Sequence, residues 1–237
     1  MGLFGTLYGR LRWLGHASFV IELSGLTILI DPWITNPLSH YRSIEGFLKD
    51  YNKVDLIIVT HDHGDHIGEA IELLSRYRES RIVALYELAE YIAREARAID
   101  RAIATNIGGP VKIDDIVLVF TEATHSSTRS HPSGVVIMSN EGVIYHAGDT
   151  GLFMDMALIG ELYKPTIALL PIGGHFTMGI KEAVKAVELI KPRYVIPMHY
   201  NTFELIRANA EEFAKLVRDR VPSTIPIVLK PNEVWSF

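Results

Sequence analysis

Asp55-Leu56-Ile57-Ile58-Val59-Thr60, followed directly by His61-Asp62-His63-Gly64-Asp65-His66, is the stretch on which both fold and chemistry turn. Its first half is a continuous apolar run, the mark of a strand covered on both faces, and predicts an interior strand of a layered α/β domain over residues 55–60. Its second half sets four candidate metal ligands within six residues, spaced His-x-His-x-Asp-His. Side chains two apart in an extended segment project to the same side, so His61, His63 and Asp65 point together. His66, at the start of the next helix, turns back towards the same space. A compact loop wraps four ligands around one tetrahedral ion only with difficulty, at about 2.0–2.2 Å each; sharing them between two neighbouring ions is easier. Three imidazoles beside a carboxylate also make poor core material without a cation. Asp62 lies on the other side of the alternation and is expected to cap or to face solvent.

Outward from this stretch the apolar pattern alternates between short strand-like runs and helical periodicity. Strands are expected at residues 11–14, 18–23, 27–30 and 81–85, and helices at 66–77 and 87–98. The second half repeats the style. Strands are expected at 116–122, 134–139, 143–146, 166–170 and 193–197, with helices at 152–162, 180–190 and 204–218 and terminal strands near 225–229 and 233–235. This order fits an α/β fold of two mixed sheets packed together and covered by helices. No stretch is rich enough in Gly, Pro or Ser to be a flexible linker, and there is no fixed-period repeat, so residues 1–237 are read as a single domain.

Composition narrows the chemistry. Hydrophobic residues make up 48% and charged residues 22% of 237, ordinary values for a globular chain. With no cysteine there is neither a disulfide nor a thiolate metal site, and the ligands must be His, Asp or Glu. The formal net charge of −5 gives no long-range attraction for a phosphate backbone, and no Lys/Arg cluster suggests a local one, which argues against a nucleic-acid partner. Residues 1–10 do not read as a secretory leader, and no run approaches the roughly 18 apolar residues of a membrane span; the expected location is cytoplasmic. The absence of Gln and Cys, beside abundant Ile, Glu and Arg, is the composition of a thermophile protein.

Three further elements follow the His-rich loop, each after an apolar run: His125 in Thr124-His125-Ser126, Asp149 in Ala147-Gly148-Asp149-Thr150, and His199 in Pro197-Met198-His199-Tyr200. Together with Thr60-His61-x-His63-x-Asp65-His66, these resemble the signature of the metallo-β-lactamase superfamily over nearly the whole chain. That resemblance implies a four-layer αββα sandwich with two divalent ions, zinc foremost and manganese or iron also suited to a His/Asp site. It implies that His61, His63 and His125 hold one ion, that Asp65, His66 and His199 hold the other, and that Asp149 bridges them. Asp31, in Ile30-Asp31-Pro32, matches an early strand-end Asp expected to accept a ring N–H from a ligand histidine.

Trp13-Leu14-Gly15-His16-Ala17-Ser18-Phe19 and Pro171-Ile172-Gly173-Gly174-His175-Phe176-Thr177-Met178 resemble a narrower branch, the small metal-dependent hydrolases similar to L-ascorbate-6-phosphate lactonase. Phospholipase D-type enzymes acting on N-acyl ethanolamine phospholipids are a more distant likeness. In that branch His16 and His175 would line the pocket as substrate or oxyanion contacts, with a place behind the ligands, like that of Asp31, as the alternative for His16. Arg129 and His131 are read as a solvated loop and His146 as packing within its strand.

The activity this implies is hydrolysis of an ester, lactone or phosphodiester bond in a small anionic substrate, by a hydroxide bridging the two metals. Asp65, Asp149 and His175 are the expected catalytic residues. Two other readings stand beside it. A metallo-nuclease needs a nucleic-acid-binding insertion or arm for which the length leaves no room. A di-iron oxidoreductase of the same fold typically carries Glu where this chain has His63. Homo-oligomerisation is left open.

Overall fold

Three short apolar segments joined by tight turns, β1 (Arg10–Gly15), β2 (Ser18–Leu23) and β3 (Leu26–Ile30), pair antiparallel in chain order. A computed structural model describes residues 9–237; the expectation about a leader falls mainly on residues outside that range. The chain then runs through α1 (Ile44–Asp50), β4 (Leu56–Ile58), α2 (Gly64–Ile67), α3 (Ala70–Arg76), β5 (Arg81–Leu85), α4 (Tyr86–Glu95) and β6 (Ala102–Thr105). The second half comprises β7 (Pro110–Ile113), β8 (Ile116–Glu122), β9 (Ser133–Ser139), β10 (Gly142–His146), α5 (Met156–Tyr163), β11 (Ile167–Pro171), α6 (Ile180–Ile190), β12 (Tyr194–Met198), α7 (Ala210–Arg220), β13 (Ile225–Pro226) and β14 (Val234–Ser236).

These strands build two seven-stranded mixed sheets, ordered β14-β1-β2-β3-β4-β5-β6 and β13-β12-β11-β10-β9-β8-β7. The αββα sandwich follows from how each sheet covers its faces. In β4, Leu56 and Ile58 point into the core between the sheets, while Ile57 and Val59 just beyond it join Leu73, Leu88 and Ile92 of α3 and α4 on the outside. Both faces are covered, which is why the run is apolar without interruption. On the second sheet, Val184 and Val187 of α6 and Phe213 and Val217 of α7 bury the outer face. A side chain of this size, fully enclosed, contributes about 1.5–3 kcal/mol relative to exposure.

Strand direction gathers the chemistry at one edge. β1 and β3 both run antiparallel to β2, and β4 runs parallel to β3, so the carboxyl ends of β1, β3 and β4 lie together. In the other sheet the same reasoning brings together the carboxyl ends of β8, β10, β11 and β12. The crevice outside the carboxyl ends of the strands is where open α/β sheets bind ligands.

The structure departs from the expected elements where side chains sit at edges or turns. The helix expected over 66–77 is two, α2 and α3, broken at Gly68 with φ +44°. A Cβ there would collide with the Pro32 carbonyl, so only glycine lets the helical segment close on the loop after Asp31. The helix expected over 152–162 begins only at Met156, and that over 204–218 is a short 3-10 turn followed by α7, capped by Asn209 Oδ1. Helix α1, capped by Ser43, and the half-exposed strands β6 and β7 had no clear apolar period to announce them.

Candidate metal centre

Loops at the shared strand edge carry every residue of interest: His16 after β1, Asp31 after β3, the His61–His66 stretch after β4, His125 after β8, Asp149 after β10, and His199 after β12. His16, Asp31 and His199 have φ of +54°, +45° and +54°, a left-handed conformation that non-glycine residues adopt at a cost. Such strain persists where surrounding structure over-determines it, and it concentrates at functional sites. Gly148 (φ +61°) has its Cα against the Ser133 carbonyl, leaving no room for a side chain in the turn that delivers Asp149. His146 fixes the same turn, its Nε2 donating to Ala17 O (2.9 Å) and its Nδ1 accepting from Gly148 N (3.1 Å).

Three sets of donor atoms converge: His61, His63 and His125; Asp65, His66 and His199 with His16; and His61, His66 and Asp149. In the first, His63 Nδ1 lies 3.0 Å from His61 Nε2 and 3.3 Å from His125 Nε2. Asp149, from the third set, reaches rings of the other two as well, lying 3.2 Å from His66 Nε2, 3.0 Å from His199 Nε2 and 3.6 Å from His125 Nε2. Yet His66 Nε2, His199 Nε2 and Asp149 Oδ1 are buried without a hydrogen-bond partner. Close approach without hydrogen-bond alignment means that these lone pairs converge on shared points. Buried polar atoms left so would cost about 1–3 kcal/mol each, and a divalent cation is the group that fits the donor set.

Hydrogen bonds behind the rings fix which nitrogen faces inward. Asp31 is fully buried and accepts from Thr60 N at Oδ1 (2.8 Å) and from Thr60 Oγ1 at Oδ2 (2.8 Å). Thr60 Oγ1, its proton committed to Asp31, accepts from His61 Nδ1 at 3.1 Å. His66 Nδ1 donates to Asp31 Oδ2 at 2.7 Å. One carboxylate therefore orients a ring in each group, leaving both Nε2 atoms free to bind. Burial holds the His61 imidazole neutral, with its pKa down to about 3, and lowers that of His125, the form in which a histidine coordinates. Burial alone would also deprotonate His66, but Asp149 and Asp31 on either side raise it well above its ordinary value. Asp149 is held well below the carboxylate range by His66 and His199 despite its burial.

Of the two places expected for His16, it takes the one behind a ligand residue and does not line the pocket. It is fully buried behind Asp65. Burial drops its pKa to about 4, so the neutral ring donates from Nε2 to Asp65 Oδ2 (2.9 Å) and accepts at Nδ1 from Thr202 Oγ1 (2.8 Å). Its carbonyl accepts the His199 N–H at 3.0 Å, so it braces two members of the second group. The chain position of His16, alone after an apolar strand, did not decide between the two. His175 departs from expectation: it is exposed, with φ +59°, and stands edge-on to the Phe176 ring at 4.4 Å. It is Phe176, its neighbour, that faces the cavity beside the cluster. Asp62 does not face solvent either. Its side chain is 1% exposed and holds the loop after His125, accepting from Ser127 Oγ (2.7 Å), Thr128 N (2.8 Å) and Arg129 Nη1 (2.8 Å).

The donor cluster floors a cavity of about 450 Å³, reached by His63, Asp65, His125, Asp149 and His199. Ser126, Phe176, Phe203 and Leu205 complete its lining. Among the described residues no lysine or arginine lines it. Arg129, on the loop after His125, pairs with Asp62 and lies over the Tyr91 ring at 3.9 Å.

An αββα sandwich with a histidine and aspartate cluster at its strand ends defines the class of protein. A sequence model described as a β-lactamase superfamily domain matches residues 27–200, more than two thirds of the chain. A protein of Hyperthermus butylicus named UPF0173 metal-dependent hydrolase is 56% identical over 233 residues, covering 97% of this chain and all of that one. One of Staphylothermus marinus with the same name is 54% identical, covering 96% and 98%. Igni18, described as a novel metallo hydrolase from the hyperthermophilic archaeon Ignicoccus hospitalis, superposes with a TM-score of 0.90 at 43% identity, covering 97% and 98% of the two chains. The chain belongs to the β-lactamase superfamily and, within it, to the UPF0173 metal-dependent hydrolase family.

Proposed function

We propose that this chain is a single-domain hydrolase working with two divalent ions, one held by His61, His63 and His125, the other by Asp65, His66 and His199, with Asp149 between them. The observation that carries the reading is the Asp149 carboxylate, within 3.0–3.6 Å of Nε2 atoms from three loops yet not aligned for hydrogen bonds. Bound there, the ions would supply Lewis acidity and bring a water's pKa near 7. Asp65, held in place by His16, orients the attacking water from its free oxygen and takes its proton. Asp31 keeps both Nε2 donors aimed at the centre. Ser126, at the cavity wall, offers a hydroxyl to the substrate's carbonyl or phosphoryl oxygen.

Zinc suits this nitrogen- and oxygen-rich donor set, as do manganese and iron. The cavity volume suits a small molecule bound through an ester, lactone or phosphodiester bond. L-ascorbate-6-phosphate lactonase remains a likeness of motif; the basic contacts an anionic sugar would call for are absent from the cavity lining among the described residues. The same lack disfavours a nuclease, and no observation favours a di-iron oxidoreductase. Among the described residues no helix is long and apolar enough to cross a membrane. A cytoplasmic role in a thermophile is part of this reading, supported by the hyperthermophilic source given for Igni18.

The test is a screen of lactones, phosphodiesters, thioesters and β-lactams with metal-loaded and chelator-treated protein. We expect turnover of at least one small substrate, lost on chelation and restored by zinc or manganese. No metal-dependent hydrolysis of any of them, or processive cutting of RNA at physiological salt, overturns it.

A further inference from the structure

Phe176, Phe203 and Leu205 remain 48%, 38% and 58% exposed, although each is large and apolar. They come from two separate loops, after β11 and after β12, and converge on the same cavity wall. Phe176 and Phe203 meet edge to face at 6.4 Å, and the Phe203 ring lies 6.0 Å from His16, directly beside the donor cluster. Scattered apolar residues on a surface need no explanation, but a converging set rimmed by polar groups marks a binding surface. The rest of the lining is His63, Asp65, His125, Ser126, Asp149 and His199, and among the described residues no lysine or arginine reaches the cavity to take a charged tail.

We infer that the substrate of this centre is an ester or lactone carrying an uncharged, apolar acyl chain, which lies along the Phe176–Phe203–Leu205 wall while its carbonyl faces the donor cluster. The inference rests on the hydrolytic reading of the centre and adds to it the class of substrate. Hydrolysis adds water across the acyl C–O bond: the oxygen joins the acyl carbon, one proton goes to the departing alkoxy oxygen and the other to solvent, giving a carboxylate and an alcohol from an ester, or both groups on one hydroxy acid from a lactone. The wall favours the chain of that acid by removing it from water, and a second charge at the chain's far end would be stranded there without a partner.

The experiment is calorimetric binding of butanoate, hexanoate and octanoate to the zinc-loaded chain, with octanedioate as the comparison carrying a carboxylate at both ends. Kd is expected to fall by about fourfold per added methylene, with a negative heat-capacity change, and octanedioate to lose most of that gain. The double variant Phe176→Ala/Phe203→Ala flattens the series, whereas Phe203→Leu keeps it. Equal affinity across chain lengths, or octanedioate binding as well as octanoate, overturns the inference. So does a wild-type dimer that the double variant dissolves, because the wall is then a contact between copies. A parallel series of 1-butanol, 1-hexanol and 1-octanol on metal-free protein separates the two claims. Chain-length dependence there, with no metal-dependent hydrolysis of any ester, sinks the metal-centre reading and leaves the wall. Metal-dependent hydrolysis with no chain-length dependence sinks the wall and leaves the centre.

Discussion

The two donor groups of the centre are built differently. His61, His63 and His125 form a group of imidazoles alone, with His63 and His125 on the cavity side. Its third member stands on a long loop tied back by Asp62 and by the Thr124 N–H to Thr150 Oγ1 (3.0 Å). Asp65, His66 and His199 lie deeper, mix charges, and are backed by buried partners on every side: Asp31 behind His66, His16 behind Asp65, and the His16 carbonyl behind His199. Each member of the second group thus has a partner behind it, whereas His125 of the first depends on a loop tied down at Asp62 and Thr150. Rigidly supported ligands bind more tightly, so the second ion is expected to be the harder to remove.

Asp149→Asn tests what the groups share. It removes a carboxylate that reaches rings of both, and is expected to release at least one ion and to lower kcat/KM by at least about a hundredfold; retained stoichiometry and near-normal turnover would count against a shared residue. Asp31→Asn follows in size. Its carboxylate orients His61 through Thr60 and His66 directly, so chelator titration should show affinity falling about 10–100-fold at both ions together. A loss confined to one ion breaks that coupling.

Asp65→Asn should then weaken the second ion alone, while His175→Ala leaves metal content at two per chain by elemental analysis. Turnover lost in His175→Ala without metal loss would return His175 to the substrate role expected from sequence. The smallest effect belongs to Asp62→Asn. It loses charge-assisted bonds to the loop after His125, costing about 1.5–3 kcal/mol of stability, and should loosen only the first ion, by a few-fold. Equal loosening of both would remove the distinction between the groups.

The sequence was most legible where its signals are local. Residues 55–60 declare an interior strand because helices and the opposing sheet cover both faces, and the four ligand types in 61–66 sit close enough to be read together. The grouping of His125, Asp149 and His199 with them was available only through family likeness, since strand order, not spacing, brings those loops together. Which of its two places His16 would take was not legible for a different reason: its partners Asp65 and Thr202 are 49 and 186 residues away. His175 was assigned from the likeness of its motif, and it stands exposed outside the cavity lining, where its neighbour Phe176 is found. Asp62 was read from strand alternation as facing outward, and it does, but the His125 loop folds over that side and buries it.

Two ions in two unequal groups are the centre of this account, and their positions and occupancies can be measured together. Anomalous diffraction from zinc-reconstituted crystals, repeated after a graded chelator soak, reads both. The account predicts two peaks roughly 3.5–4 Å apart, one beside His61, His63 and His125, the other beside Asp65, His66 and His199, with the first fading before the second. A single peak, or two with Asp65 and His199 unliganded, would contradict it.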